Sequence, residues 1–299
     1  MPANEVVRRP QQDVSTPALA VAAGCTHGRC HFCGFFLDTP FEMRPMADIE
    51  ADIGRIAKTM MAHERRIFLA GGNPYALSAD KLVRIFDAVE ARIPQVDSYG
   101  GFCRISDVAR KSDGDLALLA ARGVSDIAIG AESGCDETLA FMEKGQTAAD
   151  VAEQGRRLHE AGIEFTYFYL AGLAGHGRGR RNAVESARAF SAAAPKRILI
   201  MSMTPVAGWR LSEDIEAGLW SPPGEVEMAE EIRTFVANLD CETYVNCGHD
   251  TDVVRFECAL PVQRDAALAL LDDRIARMDE SSARAFRLAF GSGSWEWNW

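Results

Sequence analysis

From Ala18 to Thr204 the chain alternates short apolar runs with longer amphipathic stretches, giving six β/α units in order. The runs Ala18–Ala23, Ile67–Ala70, Val96–Phe102, Asp126–Ser133, Glu164–Leu173 and Arg197–Thr204 read as strands. Asp48–Met61 places Ile49, Ile53, Ile56 and Met60 at helical spacing. Ser78 starts a helix reaching Ala91, Asp113–Arg122 ends at Gly123, Thr147–Ala161 ends at Gly162, and Arg181–Ala193 is the last of the series. Strands separated by helices must pair in parallel, with the helices covering the sheet. A doubly wound sheet and a barrel both satisfy that rule. The barrel fits better, because the unusual residues all follow strands, and a barrel gathers the C-terminal strand ends into one rim.

After Leu211 the pattern changes. Pro222-Pro223 precedes a helix to Leu239, short strands are expected at Tyr244–Val245 and Val253–Leu260, and Arg264–Met278 reads as helical, with a shorter helix from Ser281. The fold class is therefore α/β. It is a partial (β/α)6 TIM-like barrel over residues 1–210, with a small C-terminal α+β extension over 211–299 expected to cap it. The tail holds Trp295, Trp297 and Trp299 and is read either as a plug over the barrel or as a frayed end.

Composition narrows the function. At 47% hydrophobic and 25% charged, the 299 residues are those of a soluble globular protein. No apolar run has the length of a membrane span, and the first residues lack the apolar centre of a signal peptide, so a cytoplasmic location is expected. A net charge of −11 argues against a general nucleic-acid binder. Basic residues are local: Arg178, Arg180 and Arg181 in one loop, and Arg8, Arg9, Arg29 and Arg44 around the first cysteines. They read as solvated surface or as a docking patch for an acidic electron donor or an anionic substrate.

Eight cysteines are too few for a disulfide scaffold in a chain this long, but three of them cluster. Cys25, Cys30 and Cys33 form C-x4-C-x2-C directly after the first strand. Three thiolates so spaced hold three irons of a [4Fe–4S] cluster and leave the fourth open to a ligand. Zinc competes, since His27 and His31 lie in the same run. A structural zinc site usually pairs two short clips, however, and here one stands alone, flanked by Phe32, Phe35 and Phe36.

These residues resemble the radical S-adenosylmethionine (radical SAM) superfamily. The usual family spacing is C-x3-C-x2-C, and the longer first gap here is that of a subgroup with an aromatic residue before the last cysteine, as Phe32 is. Ile67–Pro74 is similar to the family's second-strand glycine motif, which implies cofactor binding by Gly71, Gly72 and Asn73. Ile127–Gly134 resembles the fourth-strand segment, implying Glu132 and Ser133, and Pro205 resembles a sixth-strand segment near the adenine. Phe141–Gly145 also matches the subgroup. The resemblance implies Cys25, Cys30 and Cys33 as metal ligands, and a [4Fe–4S] cluster with S-adenosylmethionine as cofactors. It further implies a flavodoxin- or ferredoxin-type electron donor, and a 5′-deoxyadenosyl radical acting on a small-molecule substrate. Transfer of a 3-amino-3-carboxypropyl group with release of methylthioadenosine is the alternative reaction, and a zinc-stabilised binding protein the alternative class. Tyr167 and Tyr169 share one face of the fifth strand, expected to be the barrel interior, where they serve packing or contact a radical or substrate. His176 and His249 read as structural.

Overall fold

The computed structural model describes residues 9–59 and 63–291. Met60 of the expected first helix and the Trp-rich tail lie outside the described residues.

The elements follow in chain order: β1 (Ala18–Ala20), β2 (Ala22–Ala23), β3 (Glu42–Met43), α1 (Met46–Ile56), β4 (Arg66–Ala70), α2 (Ala79–Glu90) and β5 (Ser98–Arg104). Next come α3 (Ile105–Ala109), α4 (Asp113–Ala121), β6 (Ile127–Glu132), α5 (Asp136–Phe141), α6 (Ala148–Glu160), β7 (Phe165–Ala171) and α7 (Gly179–Ala193). The chain continues through β8 (Arg197–Ser202), α8 (Arg210–Glu216), α9 (Glu225–Asn238), β9 (Thr243–Cys247), β10 (Phe256–Leu260), α10 (Arg264–Arg277) and α11 (Glu280–Gly291).

One sheet has the order β1-β4-β5-β6-β7-β8-β9-β10. Every pair from β1 to β9 is parallel, and β9–β10 is antiparallel. The strand order never reverses, as it must in a doubly wound sheet. Successive helices α1–α2, α2–α4, α6–α7, α7–α9 and α9–α10 pack side by side along the outer face. This is the TIM-like arrangement expected from the alternation. The sheet also runs two strands beyond the six that were read as barrel units: β9 pairs with β8 through Arg197–Tyr244, Ile198–Val245 and Leu199–Asn246.

The main core lies between sheet and helices, with Leu19, Ile67, Leu69, Ile129 and Ile198 facing Leu82, Phe86, Phe190 and Phe235. The inner face is lined by Ala20, Phe68 and Ala70, with Ala18 and Phe102 against them. Below them, at the N-terminal strand ends, a polar plug fills the interior. Arg66 Nε donates to Asp13 Oδ1 (2.7 Å) and its Nη1 to Ser98 Oγ (2.8 Å), while Arg197 pairs with Asp126 (3.1 Å). Both guanidinium groups thus have carboxylate partners, as buried charge requires.

Tyr167 and Tyr169 do share a face, but it is the outer one. The Tyr167 hydroxyl donates to the Val151 carbonyl of α6 (2.8 Å), and the Tyr169 ring stacks on Phe235 of α9 with centroids 4.0 Å apart. The interior positions of β7 fall to Thr166, Phe168 and Leu170. This strand is apolar on both faces, so alternation fixes which residues go together and not which side they take.

Candidate functional site

The cysteines occupy an excursion between β2 and β3, closed at its base by the antiparallel pairs Ala22–Met43 and Ala23–Glu42. Gly24 enters it at φ +68°, and a Cβ there would strike the Thr39 carbonyl oxygen at 2.4 Å. The loop after β4 meets this excursion backbone to backbone. Gly72 N donates to Gly24 O (3.1 Å), and a Cβ on Gly72 would lie 2.2 Å from that oxygen.

Asn73 is fully buried and locks the contact. Its Oδ1 accepts from Thr26 N (3.0 Å), and its Nδ2 donates to Thr26 Oγ1 (2.8 Å) and Asp107 Oδ2 (2.8 Å). Asp107 also accepts from Arg104 N (2.9 Å) and pairs with Arg110. The amide of Asn73 is thus spent on holding the residue next to Cys25.

A second support comes from the loop after α5. His27 Nε2 donates to the Glu143 carbonyl (2.6 Å), and burial pulls the imidazole pKa down, consistent with a neutral ring. His31 N donates to Met142 O (3.2 Å). Buried Lys144 places its ammonium 3.5 Å from Glu132 Oε1 and 5.8 Å over the Phe32 ring. Its carbonyl accepts from Arg104 Nη2 (2.6 Å). Glu132 ends β6 at φ +66°, after a register shift between Gly130 and Glu132, and burial raises its carboxyl pKa against the opposing pull of Lys144. Gly130 makes room for the pair, since a Cβ there would lie 2.6 Å from Glu132 Oε1.

The three thiols therefore sit on one loop beside two cations. Burial raises the Cys30 thiol and pushes Cys33 up to about 11, while Lys144 pulls both down and Arg104 also lowers Cys30. Cys30 and Cys33, raised in this way, would become thiolates by binding a metal. The donor set, its cations and the bare-backbone contact at Gly72 fit an iron–sulfur cluster with an open iron.

Of the residues picked out by sequence, Cys25, Cys30, Cys33, Phe32, Gly71, Gly72, Asn73 and Glu132 gather here. Gly71 has φ +147°, and a Cβ on it would meet the Ala22 carbonyl oxygen at 2.8 Å. Pro205 follows β8 on the same rim and is half-buried. Ser133 points elsewhere: its hydroxyl donates to Asn182 Oδ1 of α7 (2.6 Å) and accepts from Cys135 N (2.9 Å). Arg178 and Arg181 lie 3.9 and 2.5 Å from Glu137, and Arg181 also pairs with Glu185, so the basic loop is partly neutralised. His176 pairs with Glu227 (2.7 Å), and His249 Nδ1 contacts Thr251 Oγ1 (2.7 Å). Sequence reasoning overlooked Arg104, Asp107 and Lys144. Lys144 stood inside the Phe141–Gly145 segment, and Arg104 is a charge closing an apolar strand. Asp107 gave no signal.

Comparison with known proteins accords with this geometry. The sequence pattern of the Radical SAM superfamily matches residues 19–178. Heme chaperone HemW of Bacillus subtilis (strain 168) is 26% identical over 144 residues, which is 47% of this chain and 38% of HemW. Among solved structures, the archaeal Elp3 of Methanocaldococcus infernus superposes with a TM-score of 0.53 at 15% identity, covering 87% of this chain and 63% of that one. The radical S-adenosylmethionine methyltransferase TsrM of Kitasatospora setae, with cobalamin and a [4Fe–4S] cluster bound, gives 0.51 at 20% identity, over 62% of this chain and 34% of its own. The chain thus spans less than two thirds of the length of each of these proteins, and at such identities the structural matches speak for the fold.

Proposed function

Because the chain belongs to the Radical SAM superfamily, whose cofactors are a [4Fe–4S] cluster and S-adenosylmethionine, we propose that it is an enzyme that cleaves S-adenosylmethionine reductively and acts on a small-molecule substrate. The observation that carries this reading is the loop bearing Cys25, Cys30 and Cys33, braced by Asn73 and faced by Lys144 and Arg104. Cys25, Cys30 and Cys33 would hold the cluster, which with S-adenosylmethionine would supply one-electron cleavage of a sulfonium carbon–sulfur bond.

The chain's own residues bind and orient. The three cysteines hold the cluster. Gly71 and Gly72 present backbone for close approach of the methionine portion, and Glu132 supplies an acceptor for its polar groups. Asn73 positions the loop, because both N–H donors of its amide and one lone pair of its Oδ1 are engaged within the chain. Phe32 packs with Met142, Leu173, Met203, Leu211 and Trp220, which keeps water from the loop. A flavodoxin- or ferredoxin-type protein in the cytoplasm is the proposed electron donor. Residues 211–299 are proposed to complete and cap the barrel begun by 1–210.

The test is anaerobic reconstitution, followed by iron and sulfide analysis and incubation with dithionite and S-adenosylmethionine. About four irons per chain are expected, with 5′-deoxyadenosine formed and lost in Cys30→Ala. Methylthioadenosine in its place would assign 3-amino-3-carboxypropyl chemistry. Iron-free protein carrying zinc would overturn the reading in favour of a binding protein.

A further inference from the structure

The cysteine loop is gripped from a side that the supports above do not explain. Residues 209–221, between β8 and α9, cross the rim and touch two loops that are far apart in sequence. At one end, Leu211 N donates to His31 O (2.8 Å), and Asp214 Oδ2 lies 2.6 Å from His31 Nδ1. Arg210 Nη1 donates to Arg29 O (3.2 Å) and to Glu143 Oε2 (3.1 Å). The Trp209 ring meets Phe35 edge-on at 5.0 Å, and a Cβ on Gly34 would lie 2.2 Å from Trp209 Nε1. At the other end, Trp220 Nε1 donates to Leu173 O (3.2 Å), and His176 N donates to Ser221 O (2.9 Å). Between the two ends, Leu211, Ile215 and Trp220 share one apolar cluster with Phe32 and Leu173.

We propose that residues 209–221 form a strap that positions the cysteine loop and couples it to the loop after β7, with Asp214 and Trp220 as its anchors. The strap lies over the rim where the proposed reaction takes place, so a substrate that displaces the loop after β7 shifts the surroundings of Cys30 and Cys33 through it. Asp214 and Trp220 are positioning residues: they act through His31 and Leu173 and touch no proposed ligand. The inference rests on the proposed function only for the meaning of the loop. The strap itself is a property of the polypeptide.

The experiment is hydrogen–deuterium exchange on the full metal-free chain, with β6 and β7 peptides as an internal control for folding. In Asp214→Ala, amides of residues 27–36 should exchange about tenfold faster, the loss expected for a hydrogen bond to a charged group, while β6 and β7 keep their protection. Asp214→Glu should restore much of the protection. Trp220→Phe keeps an aromatic group, though a smaller one, and deletes the bond to Leu173 O. It should speed exchange at 172–176 and, through the strap, at 27–36 as well. Unchanged exchange at 27–36 in Asp214→Ala would overturn the positioning role. Loosening confined to 172–176 in Trp220→Phe would overturn the coupling. On reconstituted protein, the Asp214→Ala cluster should be stripped by a chelator several-fold faster and give an altered electron paramagnetic resonance line shape. Failure of the wild-type chain to assemble a cluster would count against the proposed function and leave the exchange results to judge the strap.

Discussion

Lys144 and Glu132 form a buried ion pair 3.5 Å apart, and the same ammonium lowers the pKa of both the Cys30 and the Cys33 thiol. One cation thus serves two anionic neighbourhoods. Reducing a thiolate-bound cluster adds negative charge beside it. Lys144→Met removes the compensating charge, so the cluster's reduction potential should become more negative by on the order of 60 mV, a tenfold change for one electron. A redox titration followed by electron paramagnetic resonance reads this directly. An unmoved potential would mean that Lys144 serves Glu132 alone.

Asn73→Ala leaves Thr26 N without its partner and takes a donor from buried Asp107. Two unmet polar groups of this kind cost about 2–4 kcal/mol. Urea unfolding of the metal-free chain should show that loss. Asn73→Asp should cost more, because it sets a carboxylate against the Asp107 carboxylate.

Gly130→Ala tests the space beside the ion pair. The added methyl would lie 2.6 Å from Glu132 Oε1 and 3.1 Å from Lys144 Nζ, so the carboxylate must move. Alanine is otherwise acceptable in a strand, so the melting temperature should change little. Affinity for S-adenosylmethionine, measured by equilibrium dialysis on reconstituted protein, should fall about tenfold, equivalent to about 1.4 kcal/mol. Unchanged affinity would remove Glu132 from the proposed cofactor contacts.

Glu231 of α9 offers a pH test away from the cysteines. It accepts from the Tyr169 hydroxyl (2.6 Å), Asn182 Nδ2 (2.8 Å) and Gly172 N (2.9 Å), yet burial raises its carboxyl from 4.5 to about 7. The folded chain therefore holds a proton that the unfolded chain releases above about 4.5. The associated stability is full below that pH and is lost as pH rises through about 7, with a size on the order of 3 kcal/mol. Asp252, also raised to about 7 by burial, adds in the same direction. Chemical unfolding from pH 5 to 8 should show falling stability, with a shallower slope in Glu231→Gln. Equal slopes would show that Glu231 does not titrate in this window.

Much of the fold was legible because buried parallel strands are apolar on both faces and stand out as runs, and their helices carry a stripe of helical period. The short helices α3, α5 and α8 were missed, having too few turns for a period to register. The direction of Tyr167 and Tyr169 was misjudged for want of any polar face on β7. Ser133 was placed in the site with Glu132 through the resemblance of Ile127–Gly134 to a family segment, but it lies past the end of β6 and its hydroxyl reaches α7. The cysteines and glycines were legible because spacing and backbone freedom are local properties. Arg104, Asp107, Lys144 and Asp214 each have a partner 34 to 183 positions away, which no local pattern records.

The pairing of β8 with β9 has a consequence for where the chain can be divided. The sixth strand of the series is flanked on both sides, and Leu199, Ile200 and the rest of its apolar run have never had to tolerate solvent at an edge. A fragment ending at residue 210 would bare a row of backbone donors and acceptors on a hydrophobic strand, which is a template for joining other chains. Such a fragment is expected to aggregate instead of surviving as a smaller barrel, so β9 and β10 act as the finished border of the sheet.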